Sequence, residues 1–115
     1  MTTAGYAGGS TQSSPSGWGM TVGLTSGLVF PGVGSSHGCV FINNGTAVIA
    51  ICPASVNIGV AGVFPGFAAG VAVINGPGSI NINPGDKFFI DNMLCTTAWN
   101  GIAATAGGAL TVLTF

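Results

Sequence analysis

The chain of 115 residues has the length of one domain and an ordinary hydrophobic content of 48%, yet only 3% of its residues are charged, against about a quarter in soluble domains. With Lys87 as its one Lys or Arg, it cannot build the several cationic contacts that phosphate binding requires, which excludes nucleic acid as a partner. A formal net charge of -1 gives copies little mutual repulsion, so much of the surface is expected to face protein rather than water. The apolar content argues against a disordered chain.

Residues 1–17, MTTAGYAGGSTQSSPSG, hold Gly, Ser and Thr with a single aromatic, Tyr6, and show no hydrophobic period. They read as an extended arm lying on a neighbouring subunit, ahead of one β domain over residues 18–115. No basic stretch followed by an apolar run opens the sequence, so a classical export signal is not expected. From Trp18 onward, short runs rich in Val, Ile, Thr and Phe alternate with Gly, Pro and Asn clusters, the punctuation of strands and turns. The fold class is all-β: short antiparallel strands in a β-sandwich, jelly roll or small barrel.

GCVFIN (38–43), Asn44-Gly45 and TAVIAIC (46–52) have the form of a hairpin closed by a type I′ turn. That register sets Phe41 opposite Val48, Cys39 opposite Ala50 and His37 opposite Cys52, all on one face. The other face holds Val40, Ile42, Ala47, Ile49 and Ile51, so the pair is expected to be covered on both sides.

Residues 54–75, ASVNIGVAGVFPGFAAGVAVIN, are hydrophobic enough to suggest a membrane span, and Gly62, Gly66 and Gly70 repeat a small-residue spacing. Pro65 in the middle, Gly59, and the lack of flanking Lys or Arg favour loop plus strand instead. Asn83-Pro84-Gly85-Asp86 reads as a type II turn joining SINI (79–82) to KFFI (87–90), with Gly85 taking the positive φ. AWNGIAATAGGALTVLTF (98–115) reads as strand, Gly107-Gly108 turn and strand, with Phe115 tucked in.

For acid–base chemistry the chain offers Asp86, Lys87, Asp91 and His37, which is too few to place a catalytic pair, so the chain reads as a non-enzyme without a cofactor. Asp86 closes the Pro-Gly turn and Asp91 ends a strand. No GxSxG or phosphate-loop pattern occurs. His37, Cys39 and Cys52, which the hairpin register gathers and Cys95 could join, are the only candidate metal ligands. Their spacing matches no zinc knuckle, and buried thiols packing as apolar side chains are the favoured reading over zinc or a Cys39–Cys52 disulfide. An odd, sparse cysteine set fits synthesis in a reducing cytoplasm. Trp18, Trp99 and the seven phenylalanines read as core or interface anchors.

VFINNGTAVIAICPASVNIG (40–59), GSININPGDKFFI (78–90) and TTAWNGI (96–102) resemble a pattern found in small structural proteins of tailed bacteriophages. In it, a strand ending in Asn and Gly leads to one closed by Pro and a small residue, and an Ile-Asn segment, a Pro-Gly turn and a Trp-bearing strand follow. Cys52 before Pro53 and the glycine-rich stretch around 62–70 depart from it. The resemblance implies a β-rich virion component with no catalytic residues, most simply a capsid cement or decoration protein. It would associate with itself as a homotrimer and with major capsid or other virion proteins on the capsid surface. A subunit of a filament, tail or fibre, and a small receptor- or glycan-binding spike module, are the alternatives.

Overall fold

The computed structural model describes residues 16–34, 37–57 and 67–115, so residues 1–15 of the expected arm over 1–17, and the segment 58–66, lie outside the described residues. Ten strands follow one another among the described residues: β1 (Ser16–Val22), β2 (Gly27–Phe30), β3 (Gly38–Asn43), β4 (Ile49–Pro53), β5 (Ser55–Asn57), β6 (Phe67–Ala69), β7 (Ile80–Ile82), β8 (Lys87–Asp91), β9 (Trp99–Ala103) and β10 (Gly108–Thr114). β1 thus starts inside the stretch assigned by composition to the arm, pairing Ser16 with Thr114 and Gly17 with Leu113. A single 3-10 turn, Asn92–Cys95, is the one helical element among the described residues, and no helix there is long and apolar enough to cross a membrane.

The strands form two four-stranded sheets, ordered β1-β10-β3-β8 (sheet A) and β2-β9-β4-β7 (sheet B), with β5 and β6 as a separate pair. Every pairing is antiparallel. The order is nested: β1 pairs with β10, β2 with β9, β3 with β8 and β4 with β7. One long ribbon of four strand pairs is therefore folded over on itself and sealed by β10–β3 in sheet A and β9–β4 in sheet B. That is a jelly roll, the architecture of eight strands in two sheets.

The period-two alternation of strand side chains builds the core. Sheet A turns Cys39, Phe41, Leu110, Val112 and Ile90 inward, and sheet B turns Ile49, Ile51, Ile82, Trp99 and Phe30 to meet them. An aromatic ladder crosses between the layers, alternating sheets at each step. Trp18 meets Phe30 edge-on at 5.5 Å, Phe30 meets Phe41 edge-on at 5.7 Å, and Phe41 meets Trp99 at 5.6 Å and a 53° tilt. Such pairs each add about 1 kcal/mol beyond their burial. The Trp99 indole also donates to the Leu94 carbonyl at 2.9 Å, so the bulkiest buried side chain has its polar end satisfied.

The expected Asn44-Gly45 hairpin does not form. β3 lies in sheet A and β4 in sheet B, and neither Asn44 nor Gly45 takes the positive φ that a type I′ turn needs. The chain turns a corner between the layers there, and the buried Asn43 side chain fixes it. Its Nδ2 donates to Ala47 O and to Ile82 O on β7, both at 2.8 Å, while its Oδ1 accepts from Gly45 N at 3.0 Å. Asn43 thereby ties the end of a sheet A strand to the edge strand of sheet B. Gly45 sits against the Gly107 carbonyl, where a Cβ would overlap it.

The second turn is as the sequence implies. Gly85 has φ 85° and Asp86 N donates to Asn83 O at 3.0 Å, the pattern of a type II turn. It also links opposite layers, β7 to β8. At the C-terminal end, Gly107 takes a positive φ of 98° while Gly108 already belongs to β10. The Phe115 main chain is held by Gly38, with Phe115 N donating to Gly38 O and Gly38 N to Phe115 O, each at 3.0 Å. Its ring is 48% exposed rather than tucked in.

Candidate interaction surfaces

His37, Cys39 and Cys52 do not share a face, because the hairpin register that would have gathered them is absent. Cys39 points into the core from β3, Cys52 stands on β4 in the other sheet, and His37 is exposed ahead of β3. Among the described residues, no three His, Cys, Asp or Glu side chains come together as a metal-binding group. All three cysteines are buried free thiols. Cys39 and Cys95 are close enough in the core to affect each other's titration, and Cys95 Sγ donates to Ile90 O at 3.0 Å. Burial pushes all three thiols above their ordinary range, most of all Cys39, where the neighbouring Cys95 adds to the effect. A thiol so placed is a poor nucleophile. The sequence names Cys95 as able to join Cys39 but does not place it, since β3 and the 3-10 turn after β8 meet only through β3–β8 pairing.

Cys52 is covered from outside by the chain itself. Residues 70–75 run across the outer face of sheet B as a strap held by side chains of β7 and β9 and of the residues just before β2 and β7. Asn100 Nδ2 donates to Gly70 O at 2.5 Å. Ala72 N donates to Ser26 Oγ at 2.9 Å and Val73 N to Ser79 Oγ at 3.0 Å. Asn75 N donates to Asn81 Oδ1 at 3.1 Å. β4 is therefore buried on both faces, as expected, by the opposite sheet and by this strap. The strap leaves Val71 and Val73 exposed on its own outer side.

Sheet A has no such strap among the described residues, and the outward residues of its strands form a face of unusual chemistry. Register places Gly17, Leu113, Val40 and Phe89 in one row across all four strands. Phe89 is 66% exposed and Leu113 is 40% exposed, with Val40 buried between them. Leu113 leans over Gly17 and the Phe115 ring lies over Gly38, so small residues let large ones spread across the sheet. Ile42, half-buried, extends the patch on the other side of Val40.

Charge is confined to one margin of this face. Lys87 and Asp91 flank Phe89 on β8, Asp86 precedes them in the turn, and His37 adjoins Gly38, which pairs with Asp91. All four are exposed. An apolar centre with a charged rim is the anatomy of a protein interface, and contiguous exposed apolar side chains are uncommon on a free monomer.

Comparison of the chain with protein-family models, with curated proteins and with solved structures finds no match.

Proposed function

We propose that the chain is a structural subunit of a virion, a capsid cement or decoration protein that stabilises a shell by contacts between proteins and carries out no catalysis. The observation that carries this reading is the outer face of sheet A, with Phe89, Leu113 and Phe115 exposed around Val40 and ionisable groups only along the β8 margin. Burying the exposed remainder of each large side chain contributes on the order of 1 kcal/mol, so the face gains most when another protein covers it. The resemblance of residues 40–102 to small structural proteins of tailed phages supplies the virion context. Eight-stranded jelly rolls serve viral shells and also lectins and cupins, so the fold is compatible with the role without assigning it.

The test uses particles assembled with and without the chain. Particles lacking it should lose resistance to heat and to low salt, and added protein should restore it. Phe89→Lys together with Leu113→Lys should abolish the restoration while leaving the melting temperature of the isolated chain within a few degrees, because both side chains stand outside the core. Equal robustness of particles with and without the chain would rule the role out.

A further inference from the structure

A sandwich of two open sheets has four edges, each a row of unpaired N–H and C=O groups that natural proteins usually guard. Here three are guarded by recognisable means. β8 carries Lys87 and Asp91. β2 has four residues and a register shift between Leu28 and Phe30. β7 has three residues. The fourth edge, β1, has none of these devices among the described residues: SGWGMTV is seven residues long without charge or proline, and its register with β10 is unbroken over all seven pairs.

We infer that the β1 edge is a self-pairing site, where β1 of a second copy adds antiparallel about a two-fold axis through Gly19 and makes one continuous eight-stranded sheet from two copies of sheet A. The occupant follows from the order of side-chain sizes in the strand, in which a large apolar side chain, Trp18 or Met20, stands on each side of Gly19. The two-fold sets Trp18 opposite Met20 of the second copy, Met20 opposite Trp18 of the second copy, and Gly17 opposite Thr21 of the second copy. Trp18 and Met20 are the inward residues of β1, packed against the core but only partly buried because the sheet stops beside them. Self-pairing covers both with the contact that an indole and a thioether favour. On the outer face the central position is open, since nothing lies within 4 Å of a Cβ built on Gly19. A strand bearing charge would set that charge beside Trp18 and Met20, whereas a second β1 brings none. The inference does not depend on the virion reading: it concerns the isolated chain, and a two-fold pair differs from the trimer that the phage resemblance implies.

The experiment is sedimentation of the full chain at micromolar concentrations with three variants. Wild type should sediment as a dimer. Gly19→Lys and Gly19→Glu, each with room on the outer face, should be monomers with circular dichroism like wild type, because two like charges then meet on the axis. An equimolar mixture of the two should recover the dimer. Gly19→Cys, a smaller change, should be joined into a covalent dimer by a short bis-maleimide that leaves wild type uncoupled. A monomeric wild type would assign the edge to a strand of another protein, and a closed trimer would place self-association elsewhere. Either result overturns the inference, as do a dimer that survives both charged variants, a mixture that stays monomeric, or Gly19→Cys that does not couple.

Discussion

Asn43 shows how one side chain can hold two layers together. Its amide and its main chain make five hydrogen bonds: two from Nδ2, one to Oδ1, one from its N–H to Asp86 O at 3.0 Å and one from Gly85 N to its own carbonyl at 2.9 Å. Asn43→Ala leaves the Ala47 and Ile82 carbonyls without the amide inside a closed core. It should lower stability by about 3 kcal/mol in urea titration. Asn43→Asp should cost at least as much, since a carboxylate would face those same carbonyls.

The thiols make a second statement at this scale. Because burial raises their titration in the folded chain, they favour the fold fully at pH below the ordinary thiol value and lose that contribution as pH rises above it. Each buried thiol then weakens stability by up to about 1.4 kcal/mol per pH unit. Denaturant midpoints should be flat from about pH 7 to 8 and fall between pH 9 and 10, and Cys39→Ala with Cys95→Ala should flatten the fall. In the native chain at neutral pH all three cysteines should resist a maleimide that labels them rapidly in denaturant.

At the scale of elements, corners and turns divide what the sequence shows from what it hides. Asn83 to Asp86 is legible because its chemistry is local: Pro84 presets one φ, Gly85 accepts the positive one, and one i to i+3 bond closes it. Asn44-Gly45 carries as strong a local signal and misleads. There the deciding contacts are distant, from Asn43 to Ile82 and from Thr46 N to Gly107 O at 3.1 Å, and no spacing within residues 38–52 encodes them. The all-β class and the buried thiols follow from composition and alternation, whereas the sheet order and the Cys39–Cys95 pair arise only when remote strands meet. The outer face of sheet A is half legible, because Val40 and Phe89 stand out as apolar but their alignment needs the β3–β8 register. Gly45→Ala tests the corner directly. Its methyl would overlap the Gly107 carbonyl, so the change should cost about 2–4 kcal/mol in chemical denaturation, far more than Gly→Ala in an exposed hairpin turn.

Over the whole molecule, the two faces of the sandwich differ in kind. Sheet B is covered by the chain's own strap, while sheet A presents large apolar side chains with ionisable groups at a single margin. Association through such a surface should change little between about 0.05 and 0.5 M sodium chloride, since screening acts on charges that are scarce here. It should strengthen in sodium sulfate, which favours apolar burial. Light scattering across the two salts separates this behaviour from a charge-driven contact, which sodium chloride would weaken.

The nested strand order also governs when the protein can come into being. β10, last in order of the ten strands among the described residues, is an interior strand of sheet A, flanked by β1 and β3. Until it leaves the ribosome, β1 has no partner and the inner row of Leu110, Val112 and Thr114 is missing from the core. Nascent chains halted before Gly108 should therefore remain protease-sensitive, and release of the final strand should bring protection in one cooperative step, at the slow rate of folds dominated by remote pairings. Sheet A and its sticky outer face thus arise only once β10 is free to enter between β1 and β3, so a copy halted earlier presents neither.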